Sequence, residues 1–178
     1  MENSATGSES VVQTRSAKPL GSYLLSKCIV GYGVINGIIN AVIFYAIHAS
    51  DPGVLLGEPD LLHDLAFTGA LLGALLFIIV VPLTRADVRK QVFEVPDPAR
   101  LAGGVSLAPA VYAPALLVTA VVAVVVILGV GALATLFVPM PLNITAATLL
   151  KGIACACAGG VAGYFTICYV IRSDRKTM

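Results

Sequence analysis

Four long apolar runs govern what this chain can fold into: Cys28–Ile47, Leu65–Leu83, Ala108–Val138 and Gly152–Ile171. A hydrocarbon slab about 30 Å thick is crossed by roughly 20 helical residues. The first, second and fourth runs fit single crossings. The third is long enough to tilt, or to begin with an interfacial stretch at "LAPAVYAP", and too short for two crossings. The expected fold class is all-α: a polytopic membrane protein with four transmembrane helices in a compact bundle, at about 24–48, 61–83, 108–138 and 146–171. Composition agrees. Of 178 residues, 58% are hydrophobic and only 12% charged, against about 25% charged in an average globular chain. A soluble domain cannot hide that much apolar surface.

The flanks set the domain limits and the orientation. Residues 1–22 are polar and Ser-rich, without the basic-then-apolar order of a cleavable signal peptide. They are expected to form a disordered cytoplasmic tail, with the first membrane helix acting as its own uncleaved signal. Residues 23–172 form the transmembrane domain, and 173–178 a short basic tail. Arg15, Lys18 and Lys27 precede the first apolar run; Arg85, Arg89, Lys90 and Arg100 separate the second and third; Arg172, Arg175 and Lys176 follow the fourth. Ten of the eleven basic residues thus fall on one side, which the positive-inside rule makes the cytoplasm. The expected localisation is the cell membrane, multi-pass, with both termini cytoplasmic (N-in and C-in). Of the outer loops, "HASDPGVLLGEPDLLHD" is acidic and "VPMPLNITAAT" uncharged. A net charge of +1, without a basic stripe, gives no reason to expect nucleic acid.

Small residues recur at four-residue spacing. Gly33 and Gly37 lie in the first helix, Gly69 and Gly73 in the second, and Gly152, Ala156 and Gly160 in the fourth. In lipid, helices associate by close backbone approach, which small side chains permit, so these positions are expected at helix contacts. A weak repeat accompanies them. At an offset of 87, Arg85-Ala-Asp87 matches Arg172-Ser-Asp174, Gly73 matches Gly160, Phe77 matches Tyr164 and Asp64 matches Lys151. A parallel two-plus-two duplication and chance similarity between two apolar helices with basic stops both fit it. Either way, Asp64 and Lys151 should lie at similar depth.

Ionisable residues within membrane segments mark functional hypotheses. Lys151 stands on the basic-poor side and near a helix N-terminus, whose dipole disfavours a cation. An Asp64–Lys151 ion pair is one reading; the other has Lys151 snorkelling to the headgroups and Asp64 in a first turn capped by Asp60. Asn36 and Asn40 share a helix face. Their amides would hydrogen-bond between helices or line a polar path. His48 and His63 flank the acidic outer loop and are weak metal or haem candidates, because their spacing matches no compact motif. No cofactor is expected.

No Walker loop, GxSxG or HExxH is present, so the chain is not expected to be an enzyme. Cys155 and Cys157 are two apart and face nearly opposite sides of a helix; with Cys28 and Cys168 they read as small buried hydrophobes. Tryptophan is absent, leaving Tyr23, Tyr45, Tyr112 and Tyr169 for an interfacial belt. The expected function is a non-catalytic membrane subunit or structural/assembly factor, with the bilayer and a second copy or another membrane protein as partners. The alternative is a small solute permease or channel acting as a homo-oligomer, with a polar path near Asn36, Asn40, Asp64 and Lys151.

In order, "GVINGIINAVIFY", "LLHDLAFTGALL", "VVPLTRADVRK" and "MPLNITAATLLKGIACACAGG" resemble the elements of a family of uncharacterised four-helix bacterial membrane proteins. The similarity spans most of residues 28–172. It implies the same topology, with Asn36, Asn40, Asp64 and Lys151 as recurrent polar positions, and it brings no substrate. The chain departs from the family at "DPGVLLGEPD", where a tryptophan-containing outer loop is usual.

Overall fold

The computed structural model describes residues 17–51, 53–94, 109 and 111–174. Four helices in it are long and apolar enough to cross a membrane. They are α1 (Leu20–His48), α2 (Glu58–Arg89), α3 (Tyr112–Phe137) and α4 (Ile144–Asp174). Their most apolar windows have mean hydropathies of 1.7 to 2.9. Two two-residue strands, β1 (Leu55–Leu56) and β2 (Leu142–Asn143), pair antiparallel, with Leu55 opposite Asn143 and Leu56 opposite Leu142. This ribbon ties the α1–α2 loop to the α3–α4 loop. Two residues per strand carry no readable period, so the sequence offered no sign of it.

Helix limits differ from expectation for local reasons. Leu20–Ser22, expected in the tail, are already helical; residues 1–16 lie outside the described residues. α2 begins a turn early, because Gly57 is its N-cap and Pro59, with φ pre-set, occupies the first turn. Asp60 is therefore a first-turn acid and not the cap, and Asp64 lies in the second turn. The helix also runs past Pro82 to Arg89. It stops where Gln91 takes a left-handed φ of 52°. There the N–H groups of Gln91 and Val92 bond back to the carbonyls of Val88 and Asp87, at 3.0 and 3.1 Å, the Schellman arrangement. α3 starts at Tyr112, so the expected interfacial lead-in from Ala108 is not helical at Pro109; 108 and 110 lie outside the described residues. α4 starts at Ile144 because Asn143 Oδ1 accepts the Ala146 N–H at 2.8 Å, as an N-cap side chain does. In the expected basic tail, Ser173 and Asp174 are still helical and residues 175–178 lie outside the described set.

α4 is the hub. It packs against α1, α2 and α3, and α2 also packs along α3, whereas α1 leans mainly on α4. The α2–α3 seam is a row at four-residue spacing: Ala115, Thr119, Ala123, Ile127 and Gly131 are all buried. Gly73 abuts it so closely that a Cβ there would lie 2.6 Å from Ala120 Cα, and one on Gly69 3.0 Å from Val124 Cα. On the α1–α4 seam a Cβ on Gly37 would lie 2.6 Å from the Gly152 carbonyl, and one on Gly33 3.1 Å from that of Ala156. Gly160 meets the Cys28 carbonyl, and Gly159 and Gly163 meet Tyr32. Part of α1, Leu25–Val34, is wound as a π-helix, so that Ile35 donates to the Val30 carbonyl. Wider turns of this kind are rare in helices, and Cys28 and Tyr32 both belong to this stretch.

Candidate functional site

Asp64 projects from the second turn of α2 and Lys151 from the third turn of α4. Lys151 Nζ donates to both carboxylate oxygens, at 2.9 and 2.7 Å. The lysine side chain is 9% exposed and that of Asp64 36%. The cation is inside the protein and its partner forms the wall toward solvent. A buried ammonium without a counter-charge would be strongly disfavoured, so the carboxylate sets where Lys151 rests. From the third side comes Phe44 of α1, with Nζ 4.6 Å from its ring centroid, within cation–π range. His48 covers that ring, centroid to centroid 4.4 Å, and its Nδ1 lies 2.9 Å from the Phe44 carbonyl. Three helices thus meet around one ammonium. Within the pair the acid and the base neutralise each other.

The asparagines do something else. Asn36 Nδ2 donates to the Tyr32 carbonyl at 2.7 Å, and Asn40 Nδ2 to the Asn36 carbonyl at 2.9 Å. Both amides bond within their own helix, one turn back, and not between helices as expected. The reason is proximity: a short amide beside its own i−4 carbonyl finds an acceptor with no help from a neighbour. His63 is exposed and joins no polar contact with Lys151. Among the described residues, no three of His, Cys, Asp and Glu converge as a metal site would require. Cys155 is buried and Cys157 exposed, as their spacing implies, which corrects the reading of Cys157 as a buried hydrophobe; Cys28 and Cys168 are buried.

A second polar cluster went unnoticed in the sequence. At the other end of α2, Asp87 Oδ2 accepts the Tyr23 hydroxyl at 2.7 Å and pairs with Lys27 Nζ at 3.2 Å. The Tyr23 ring stacks on Phe93, centroids 4.2 Å apart. The Lys18 N–H donates to the Val92 carbonyl, and the Glu94 N–H to that of Lys18, both at 3.0 Å. α1 and the end of α2 are joined here. Tyr23 and Tyr169, each 3% exposed, are core residues and no interfacial belt; Tyr45 and Tyr112 are exposed. Tyr169 is held by Phe77, with centroids 5.2 Å apart. A signal for the cluster did exist in Lys27, a cation one residue before an apolar run, but its partner is sixty residues away.

No protein-family model matches the chain, and neither a curated protein nor a solved structure matches it significantly.

Proposed function

We propose that the chain is an integral membrane protein with both termini in the cytoplasm, and that it works as a non-catalytic membrane subunit or assembly factor. The orientation rests on the ten basic residues that share one side. The observation that carries the role is the closure of the polar groups. Lys151 and Asp64 are bonded to each other, and Asn36 and Asn40 to their own helix. A solute path would need those groups turned toward a shared lumen. Between the helices lie instead fully buried Phe77, Leu65, Ile127 and Ile167.

The α1–α4 seam supports a subunit role. Two adjoining hollows of about 450 and 260 Å³ share Val34 and Ala156 and run along Gly33, Gly37, Gly152 and Gly160. A floor of small residues is what a partner's transmembrane helix needs for close approach.

Two measurements test the reading together. In mild detergent the protein from its own membranes should run with a second polypeptide at fixed stoichiometry. Reconstituted alone in liposomes, it should pass no solute. A flux abolished by Lys151→Leu would overturn the subunit reading in favour of a permease.

A further inference from the structure

A cleft of about 480 Å³ opens where the last turns of α2 meet the start of α3. Its walls are Ile78, Val81 and Pro82, then Arg85, Ala86, Arg89 and Lys90, with Tyr112 across from them. Ile78, Pro82, Arg85 and Arg89 recur at three- and four-residue steps, so they form one face of α2. That face changes character along its length: apolar toward the middle of the helix, cationic at its end. Among the described residues, no carboxylate lines the cleft. The nearest acid in sequence, Asp87, is engaged instead with Tyr23 and Lys27 of α1. Arg85 has interactions of its own within the protein; a guanidinium has five donors and can serve more than one partner.

We infer that this cleft binds an anionic phospholipid, with the phosphate held by Arg85, Arg89 and Lys90 and an acyl chain laid along Ile78, Val81 and Pro82. Charge complementarity selects the headgroup: three cations and a phenol match a phosphodiester, and guanidinium favours phosphate geometry. The apolar wall selects a lipid over a free anion, which would leave that wall unused. The wall also continues into an exposed surface, since Ile78, Ile79 and Leu83 are each about half exposed, so a chain can leave the cleft without a step. Basic recesses beside transmembrane helices recognise anionic headgroups in this way. Tyr112 is set at the rim by the edge of Phe77, with centroids 5.1 Å apart.

The inference rests on the membrane reading, and the experiment separates the two. The full chain is placed in nanodiscs of phosphatidylcholine containing increasing phosphatidylglycerol, and co-purifying lipid is counted after gentle release. Wild type should retain phosphatidylglycerol over phosphatidylcholine and melt at higher temperature as its fraction rises. Arg89→Ala with Lys90→Ala, both exposed side chains, should keep the helical content and lose the preference by about fivefold per cation removed. Lys18→Ala, which removes an exposed cation outside the cleft, should leave it intact. Equal retention of the two lipids by wild type, or an undiminished preference in the double variant, overturns the proposal while leaving the membrane reading in place. Stabilisation by inorganic phosphate in pure phosphatidylcholine discs to the same degree also overturns it, in favour of a free anion. If the chain does not enter nanodiscs and is stripped from membranes by alkaline carbonate, both readings fall.

Discussion

Lys151 and Asp64, 87 residues apart in sequence, join α4 to α2 through two hydrogen bonds of 2.9 and 2.7 Å. The Phe44 ring adds α1 to the same ammonium. The pair is the point where three helices share one charge balance.

Removing either partner alone should therefore be worse than removing both. Asp64→Leu leaves a buried ammonium, and Lys151→Leu leaves a carboxylate that is 36% exposed. We expect each single change to lower stability by about 2–4 kcal/mol, with the Asp64 change the larger because its orphan is the more buried. The double variant should recover a substantial part, and Asp64→Lys with Lys151→Asp should recover more than either single swap. Thermal unfolding in detergent reads the cycle; additive losses would mean the pair contributes nothing as a pair.

The glycines divide by what surrounds them. Gly73→Ala forces a Cβ to within 2.6 Å of Ala120 Cα and 3.0 Å of the Thr119 carbonyl. Backbone atoms cannot yield cheaply, so the seam must open, at a cost of about 1–3 kcal/mol. Gly129, in α3, has nothing within 4 Å of that position. Gly129→Ala should gain up to about 1 kcal/mol from helix propensity. Opposite signs from one substitution type, measured by the same melt, are the expected result.

Asn36→Leu and Asn40→Leu should be nearly silent. Each amide bonds to a carbonyl of its own helix, so its loss takes no hydrogen bond from the α1–α4 seam, although the Asn36 Cβ does lie close to Gly159 of α4. Changes within about 1 kcal/mol are expected. A loss of several kcal/mol in either variant would show that the amides meet a partner helix after all.

At the opposite end, Tyr23→Phe removes only the hydroxyl that Asp87 accepts at 2.7 Å. The ring stays stacked on Phe93. The expected cost is about 1.5–3 kcal/mol, the range for a hydrogen bond to a charged group. Tyr23→Ala also loses the ring and should cost distinctly more. Proteolysis near residue 94 would report release of this end of α2 from α1.

The four apolar helices were legible because lipid-length hydrophobicity is a property of local sequence. So was the row of small residues at four-residue spacing, since helix geometry alone puts Gly69 and Gly73, or Ala156 and Gly160, on one face. The offset of 87 carries over into packing: Gly69 and Gly73 approach α3, while Ala156 and Gly160, their counterparts, approach α1. The Asp64–Lys151 pairing could be named because Lys151 stood out against the charge of its side and of its helix end, and the offset of 87 put Asp64 at the same depth. Other features had no such mark. Nothing in "KQVFE" announces that Gln91 adopts a left-handed φ, or that Phe93 will find Tyr23. Those contacts depend on where separate helices end, which spacing along one helix does not encode. The asparagines depart from expectation for the converse reason: an i−4 carbonyl is always present, and a pattern that looks suited to a neighbour can be satisfied at home.

The dependence of α1 on α4 bears on how the molecule is made. The ribosome makes α1 before α2, α3 and α4, so on the proposed membrane reading α1 waits for its principal neighbour until three further helices have been made. On that reading Gly33 and Gly37 would meanwhile face lipid that fills their notches poorly, and Phe44 would have no ammonium beside it. The α2–α3 hairpin can close as soon as both of its helices are inserted. Assembly would then have a built-in order, with the hairpin first and α4 docking as the clasp that gathers α1, and a nascent chain halted before Lys151 would hold a finished hairpin with α1 tied to it only where Tyr23 and Lys27 meet Asp87.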